Sequence, residues 1–278
     1  MRTIAHLSDL HFGRTDPATL QPVIHALREI RPDLVAVSGD LTQRARIAQF
    51  KEAKEFLNSL PSPQIVVPGN HDLPLDNVLL RLFNPLSRFK RYITADLAPV
   101  YIDDEIAVLG LNTTRRMLAK NGRVNVEQVS GINKLFGDLR GGQTRIVVTH
   151  HPFDLPISFD DARLVGRSGM AMNSFAKSGV DIFLAGHLHV THAGSTERHE
   201  IAGYTALVIQ AGTATSTRGR GELNSFNVIR IQESQMSVET HRWNLANQTF
   251  SPSTIKSFRK SAQRTSPALG HLWEEVRP

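Results

Sequence analysis

Short apolar runs recur along the chain at residues 4–7, 34–37, 65–67, 106–111, 146–148, 182–185, 206–209 and 226–231. They are largely β-branched, and most are followed closely by Gly, Asn, Asp or His. Runs of that kind, bounded by turn residues, predict buried strands. Between the early ones, Val23, Ile24, Leu27 and Ile30 recur at helical spacing, as do Ile47, Phe50, Ala53, Phe56 and Leu57. Strand alternating with helix requires crossover connections and covered sheet faces, so the predicted class is α/β. After about residue 195 the strands are joined by short links, ending at 237–243, which predicts antiparallel pairing at a sheet edge. From Leu245 the chain turns polar and basic, with Lys256, Arg259, Lys260 and Arg264 between Pro252 and Pro267. The expected division is one domain over 1–244 and a basic C-terminal tail, at most partly helical, over 245–278.

Composition narrows the chemistry. The 278 residues are 40% hydrophobic and 21% charged, with a net charge of +6 and no cysteine. Absence of cysteine removes disulfides, iron–sulfur centres, thiolate zinc sites and a Cys nucleophile together. A metal would therefore be held by His, Asp, Glu or Asn. No run approaches the roughly 18 apolar residues that span a bilayer, and His6 and Asp9 sit where a secretory leader needs an unbroken apolar stretch. A cytoplasmic location is the expectation. A charge of +6 spread over this length, with aromatics at 6%, argues against a nucleic-acid partner.

Five clusters each follow a predicted strand: Asp9-Leu-His11, Gly39-Asp40, Gly69-Asn70-His71-Asp72, His150-His151 and Gly186-His187-Leu-His189. Ligands in open α/β sheets bind at the carboxyl ends of strands, so five such ends can converge on one site. If these segments are extended, alternation points Asp9 and His11 the same way, and likewise His187 and His189. Asp9, His11, Asp40, Asn70, His150, His187 and His189 together supply nitrogen and oxygen donors too numerous for one tetrahedral ion. Two ions sharing a carboxylate accommodate them, and two ions about 3.5–4 Å apart clamp a phosphoryl group and activate a water. The residues thus predict a dinuclear hydrolase of phosphate esters.

The same clusters, in the order Asp-x-His, Gly-Asp, Gly-Asn-His-Asp, His and Gly-His-x-His, resemble the calcineurin-like metallophosphoesterases over residues 9–189. Ser8-Asp9-Leu10-His11, Gly39-Asp40-Leu41-Thr42, His150-His151-Pro152 and Gly186-His187-Leu188-His189 resemble in particular the bacterial class III cyclic-nucleotide and glycerophosphodiester phosphodiesterases. The resemblance implies a four-layer α/β sandwich, two central mixed sheets flanked by helices. It implies one metal on Asp9, His11 and His189, a second on Asn70, His150 and His187, and Asp40 bridging. It further implies a metal-held hydroxide as nucleophile, His71 near the phosphate as general acid or stabiliser, and Asp72 orienting the His71 ring. Such a carboxylate would also raise the His71 pKa. The metals expected are Mn, Fe or Zn.

The expected substrate is a small phosphodiester, a cyclic nucleotide or glycerophosphodiester. A phospholipid or lipid-linked pyrophosphate, a metal-dependent nuclease and a non-catalytic binding module are the competing readings. The lipid reading comes from residues 79–93, basic and apolar at near-helical spacing but interrupted by Pro85. That segment and the basic tail are the two places where contact with a membrane surface is expected. Arg14, Arg44, Arg46 and Asn112 lie near the motifs and are candidates for holding an anion.

Overall fold

The computed structural model describes residues 1–118, 120–139, 141–160, 163–219, 221–261 and 273–276. The chain opens with β1 (Arg2–Leu7), α1 (Pro17–Ile30), β2 (Leu34–Val37), α2 (Ile47–Ser59) and β3 (Gln64–Val66). The short helices α3 (Val78–Phe83) and α4 (Ser87–Tyr92) come next, then β4 (Val100–Ile102), β5 (Ile106–Leu111), α5 (Val126–Gly137) and β6 (Thr144–Thr149). The remainder is α6 (Ser168–Lys177), β7 (Ile182–Ala185), β8 (His192–Ser195), β9 (Leu207–Gln210), β10 (Ser225–Ile231), β11 (Gln235–Asn244), β12 (Thr249–Lys260) and β13 (Trp273–Val276).

Two mixed sheets result. One has seven strands in the order β13-β12-β11-β10-β1-β2-β3; the other has six in the order β4-β5-β6-β7-β9-β8. Parallel pairing runs through β1-β2-β3 and through β5-β6-β7-β9, and the remaining strands pair antiparallel. β9 is antiparallel to β8 but parallel to β7, so it meets the antiparallel pairing expected after residue 195 on one side only.

Alternation assigns each residue to a layer. Ile4, Leu34 and Ala36 meet Val108, Ile146, Leu184 and Ile209 in a core between the two sheets. Their sequence neighbours Ala5, Val35 and Val37 face the other way, against Val23, Leu27, Phe50 and Ala53 of α1 and α2. On the far side, Ala107, Val147 and Phe183 pack on Ile132, Phe136, Met172 and Phe175 of α5 and α6. Helix, sheet, sheet, helix is the four-layer sandwich expected. Strands covered on both faces must be apolar throughout, which is why they read as continuous runs.

The expectation of a basic tail over 245–278 is corrected for its described residues, 245–261 and 273–276; Arg264 and Pro267 lie outside the described residues. β12 pairs along its length with β11, and β13 pairs with β12. Phe258 and Trp273 are buried in the core between the sheets. Only Phe250 and Phe258 of β12 are fully buried, and a strand that is so largely solvent-facing reads as polar sequence. Phe258→Ala should therefore destabilise the fold by about 3–5 kcal/mol, the usual cost of emptying a buried Phe site. Urea unfolding measures it; a change near zero would mean that β12 does not contribute to the core.

Candidate metal centre

All five clusters lie where a parallel strand ends: Asp9 and His11 past β1, Asp40 past β2, Asn70–Asp72 past β3, His150 past β6 and His187–His189 past β7. The site therefore straddles the carboxyl edges of both sheets. The segments are not extended there. Asp9, His11, Asp40, His187 and His189 have φ of 53°, 49°, 52°, 74° and 60°. Left-handed backbone at non-glycine residues costs on the order of 1–3 kcal/mol each and persists where surroundings over-determine it, commonly at functional sites. Asp9 and His11 are held so by Asp9 N–H on Gly39 O (3.1 Å) and His11 N–H on Asp40 O (2.9 Å). They share a site because the turn is knotted to its neighbour, not because of strand alternation. Gly69 and Gly186 make the close packing possible: a Cβ on Gly69 would lie 2.1 Å from Asp40 Oδ1, and one on Gly186 1.8 Å from Ser8 Oγ.

The seven predicted ligands all come together. His189 Nε2 is 3.1 Å from Asp9 Oδ1 and 3.2 Å from His11 Nε2, and His11 Nε2 is 3.7 Å from Asp40 Oδ2. Across Asp40, its Oδ1 is 3.4 Å from His150 Nε2, which lies 3.1 Å from Asn70 Oδ1 and 3.3 Å from His187 Nδ1. One carboxylate oxygen thus faces each group. Donors about 2.1 Å from one ion sit roughly 3.0–3.4 Å from each other, so this spacing fits ligands around a cation. The second-sphere contacts agree. His150 Nδ1 is 2.8 Å from Ser38 O and His189 Nδ1 is 3.0 Å from Arg218 O, which frees each Nε2 as a lone-pair donor. Asp9 Oδ2 accepts from Ser8 Oγ and His187 N–H, whereas the buried Asp9 Oδ1 faces His189 Nε2 at 3.1 Å and His11 Nε2 at 3.5 Å. An ionised oxygen left in that position is suited to a metal.

The electrostatics point the same way. Burial acts to raise Asp9 and Asp40, but the surrounding histidines outweigh it and hold both carboxyls well below the usual range. Burial pushes His187 down to about 3, so its ring is neutral. His150 and His189 are raised, because the pull of Asp40 and Asp9 overcomes burial. Those are the protons a bound cation displaces. His151 belongs to the same cluster of rings, 4.8 Å from His150 and 4.7 Å from His187 between centroids. Its nitrogens are engaged with Thr113 Oγ1 (2.8 Å) and Lys120 O (2.9 Å), so it packs behind the ligands rather than joining them.

Two expectations about the Asn70–Asp72 turn are corrected. Asp72 does not touch the His71 ring; its carboxylate accepts from Leu41 N, Thr42 N, Thr42 Oγ1 and Gly69 N at 2.8–3.1 Å. It clasps the Asp40 turn to the Asn70 turn. The ring of His71 is oriented instead by Gln43 O, 2.9 Å from Nδ1, and Arg218 Nη1 lies 3.0 Å from Nε2. With no carboxylate behind it, His71 is lowered rather than raised, chiefly by burial, which outweighs Asp40. Asp72 itself is raised to about 6 by burial and by Asp40. Asp72→Asn would turn one acceptor into a donor against backbone N–H groups, a loss on the order of 1–3 kcal/mol. The expected result is a lower melting temperature together with reduced metal content; unchanged values of both would refute the clasp.

A cavity of about 300 Å³ opens over the candidate ligands, lined by Asp40, Asn70, His71, His187, His189 and Arg218 together with Lys120, Asn121, Arg163 and Leu188. A larger, more apolar cavity of about 610 Å³ lies elsewhere, between α1 and β11–β12, and is not lined by any of the predicted ligands. Arg14, Arg44 and Arg46 are exposed and do not line the smaller cavity. Asn112 closes its own turn by accepting from Thr114 N and Oγ1. The residue that sequence reasoning missed is Arg218. Its signal was the apolar run at 206–209 followed by Gly212, another strand end aimed at the same edge.

Comparison with known proteins agrees with this geometry. Residues 2–191 match the calcineurin-like phosphoesterase family. The chain belongs to that family. It is 37% identical over 81 residues to the glycerophosphodiester phosphodiesterase GpdQ of Enterobacter lignolyticus, covering 25% of this chain and 29% of that protein. It is 25% identical over 175 residues to the 3',5'-cyclic adenosine monophosphate phosphodiesterase CpdA of Escherichia coli K12, covering 61% and 59%. The aligned segments span less than two thirds of either relative. Among solved structures, a dimetal phosphatase from Danio rerio shares the fold with a TM-score of 0.64 at 13% identity, covering 87% of this chain and 96% of that one.

Proposed function

We propose that this metallophosphoesterase is a two-metal phosphodiesterase of small phosphodiesters, of the cyclic-nucleotide or glycerophosphodiester class. The observation that carries it is Asp40, a buried carboxylate with one oxygen 3.7 Å from His11 Nε2 and the other 3.4 Å from His150 Nε2. Asp9, His11 and His189 would hold one ion, Asn70, His150 and His187 the second, with Asp40 shared. Nitrogen and oxygen donors of this kind suit Mn, Fe or Zn. Bound there, the ions would neutralise phosphoryl oxygens and acidify a water.

The remaining chemistry falls to the chain's own groups. His71 is neutral, with Nδ1–H donated to Gln43 O and Nε2 turned to Arg218. An anionic phosphodiester in the cavity draws the Arg218 guanidinium onto its oxygens and raises the proton affinity of Nε2. His71 then takes up a proton from solvent at Nε2 and passes it to the leaving alkoxide oxygen, returning to the neutral ring. Diesters are preferred to monoesters in this reading because both named relatives act on diesters. The test is hydrolysis of bis(p-nitrophenyl) phosphate against p-nitrophenyl phosphate by metal-stripped protein with Mn²⁺ restored. Metal-dependent turnover favouring the diester is expected; preference for the monoester overturns the reading.

A further inference from the structure

Residues 79–93, expected to be interrupted at Pro85, fall in two helices on either side of it. α4 packs inward, with Phe89 and Leu86 in the core beneath α2. α3 contributes no buried residue at all. Phe83 is 81% exposed and Leu79, four positions earlier and so on the same face, is 70% exposed. Val78 and Leu75 extend this surface along the chain, and Met117, 74% exposed, joins it from the loop after β5.

The cluster is rigidly presented rather than loosely displayed. Arg81 donates to Arg116 O (2.9 Å) and Leu118 O (3.0 Å), and Arg116 donates back to Leu82 O (2.8 Å). Asn77 caps the helix by accepting from Leu80 N. Charge around the patch has one sign: residues 75–93 and 112–121 contain seven Lys or Arg and a single acid, Asp76, which is paired with Arg88. The patch borders the cavity, His71 preceding it in the chain and Lys120 following Met117 by three positions.

Largely exposed apolar side chains on a braced helix, carried by segments with an excess of cations, meet the requirements of an interfacial contact with an anionic bilayer: apolar area for the acyl boundary and positive charge for the headgroups. We propose that the Phe83–Leu79–Met117 surface docks the protein on anionic phospholipid membranes, with the cavity mouth beside the headgroup layer. The proposal stands independently of which phosphoester is cleaved.

The test is co-sedimentation with vesicles of phosphatidylcholine alone and with one quarter phosphatidylglycerol, at low salt and in 0.5 M NaCl, on the order of five times the ionic strength at which the screening length is about 10 Å. Wild type should sediment with the anionic vesicles only and be released by salt. The Leu79→Ser/Phe83→Ser double variant should lose at least about tenfold in partitioning, while keeping its melting temperature and its hydrolysis of a soluble diester. Failure of wild type to sediment, equal sedimentation of the double variant, or salt-insensitive binding to neutral vesicles would each overturn the proposal. So would a wild-type dimer that becomes monomeric in the double variant without any vesicle binding, since the surface would then belong to a second copy.

Discussion

Asp40→Asn is expected to empty the centre and abolish turnover, with hydrolysis of bis(p-nitrophenyl) phosphate falling on the order of a thousandfold or more. The substitution keeps the shape of the side chain and removes its charge. Asp40 is buried, faces a His nitrogen with each oxygen, and also accepts the backbone N–H of His71 at 2.8 Å. An amide can serve only one of those neighbours as an acceptor and presents N–H donors to the other. Both ions lose their common anion, so elemental analysis should show occupancy dropping at both positions and not at one. Retention of two metals per chain with near-normal activity would show that Asp40 is not shared. The comparison with Asn70→Ala is informative, because Asn70 Oδ1 lies 3.1 Å from His150 Nε2 and its loss should lower the occupancy on that side.

The parts of this molecule that were readable from sequence are those where one physical demand dominates. Strands β1, β2, β5, β6, β7 and β10 are buried on both faces or nearly so, and that demand leaves continuous apolar runs. Asp9, Asp40, Asn70, His150 and His187 were readable because polar residues directly after such runs have few reasons to be there. Side-chain direction within a turn was not readable. In the 3₁₀ turn Asn70–Asp72 successive side chains diverge by about a third of a revolution. Asn70 therefore meets His150 and His71 meets Arg218, whereas Asp72 turns to backbone amides. The pairing of Asp72 with the His71 ring, implied by the family resemblance, is one that the turn forbids. The outermost strands were hidden for the opposite reason: β12 and β13 bury so little that their sequence imitates a solvated tail. α5 and α6 went unread although Val129, Ile132 and Phe136, and Met172, Phe175 and Ala176, recur at helical spacing as regularly as the core residues of α2.

His71→Ala is expected to leave metal content unchanged and to cut turnover by an amount set by the leaving group. The ring touches no other candidate ligand by hydrogen bond; its partners are Gln43 O and Arg218 Nη1. The contact that ties residue 71 to Asp40 is its backbone N–H, which alanine keeps. Loss of the ring thus removes a proton carrier without disturbing the donors behind it. For a diester with an alkoxide leaving group, which departs only with a proton, kcat should fall about 10²–10⁴-fold, the range of general acid–base catalysis. p-Nitrophenolate is stable as an anion, so with bis(p-nitrophenyl) phosphate the same variant should lose far less, within about tenfold. An equal loss on both substrates would assign His71 to electrostatic stabilisation of the phosphoryl oxygens, since that contribution does not depend on which group leaves. A loss accompanied by missing metal would instead mean that the ring supports His11, 5.0 Å away between centroids and set edge-on to it.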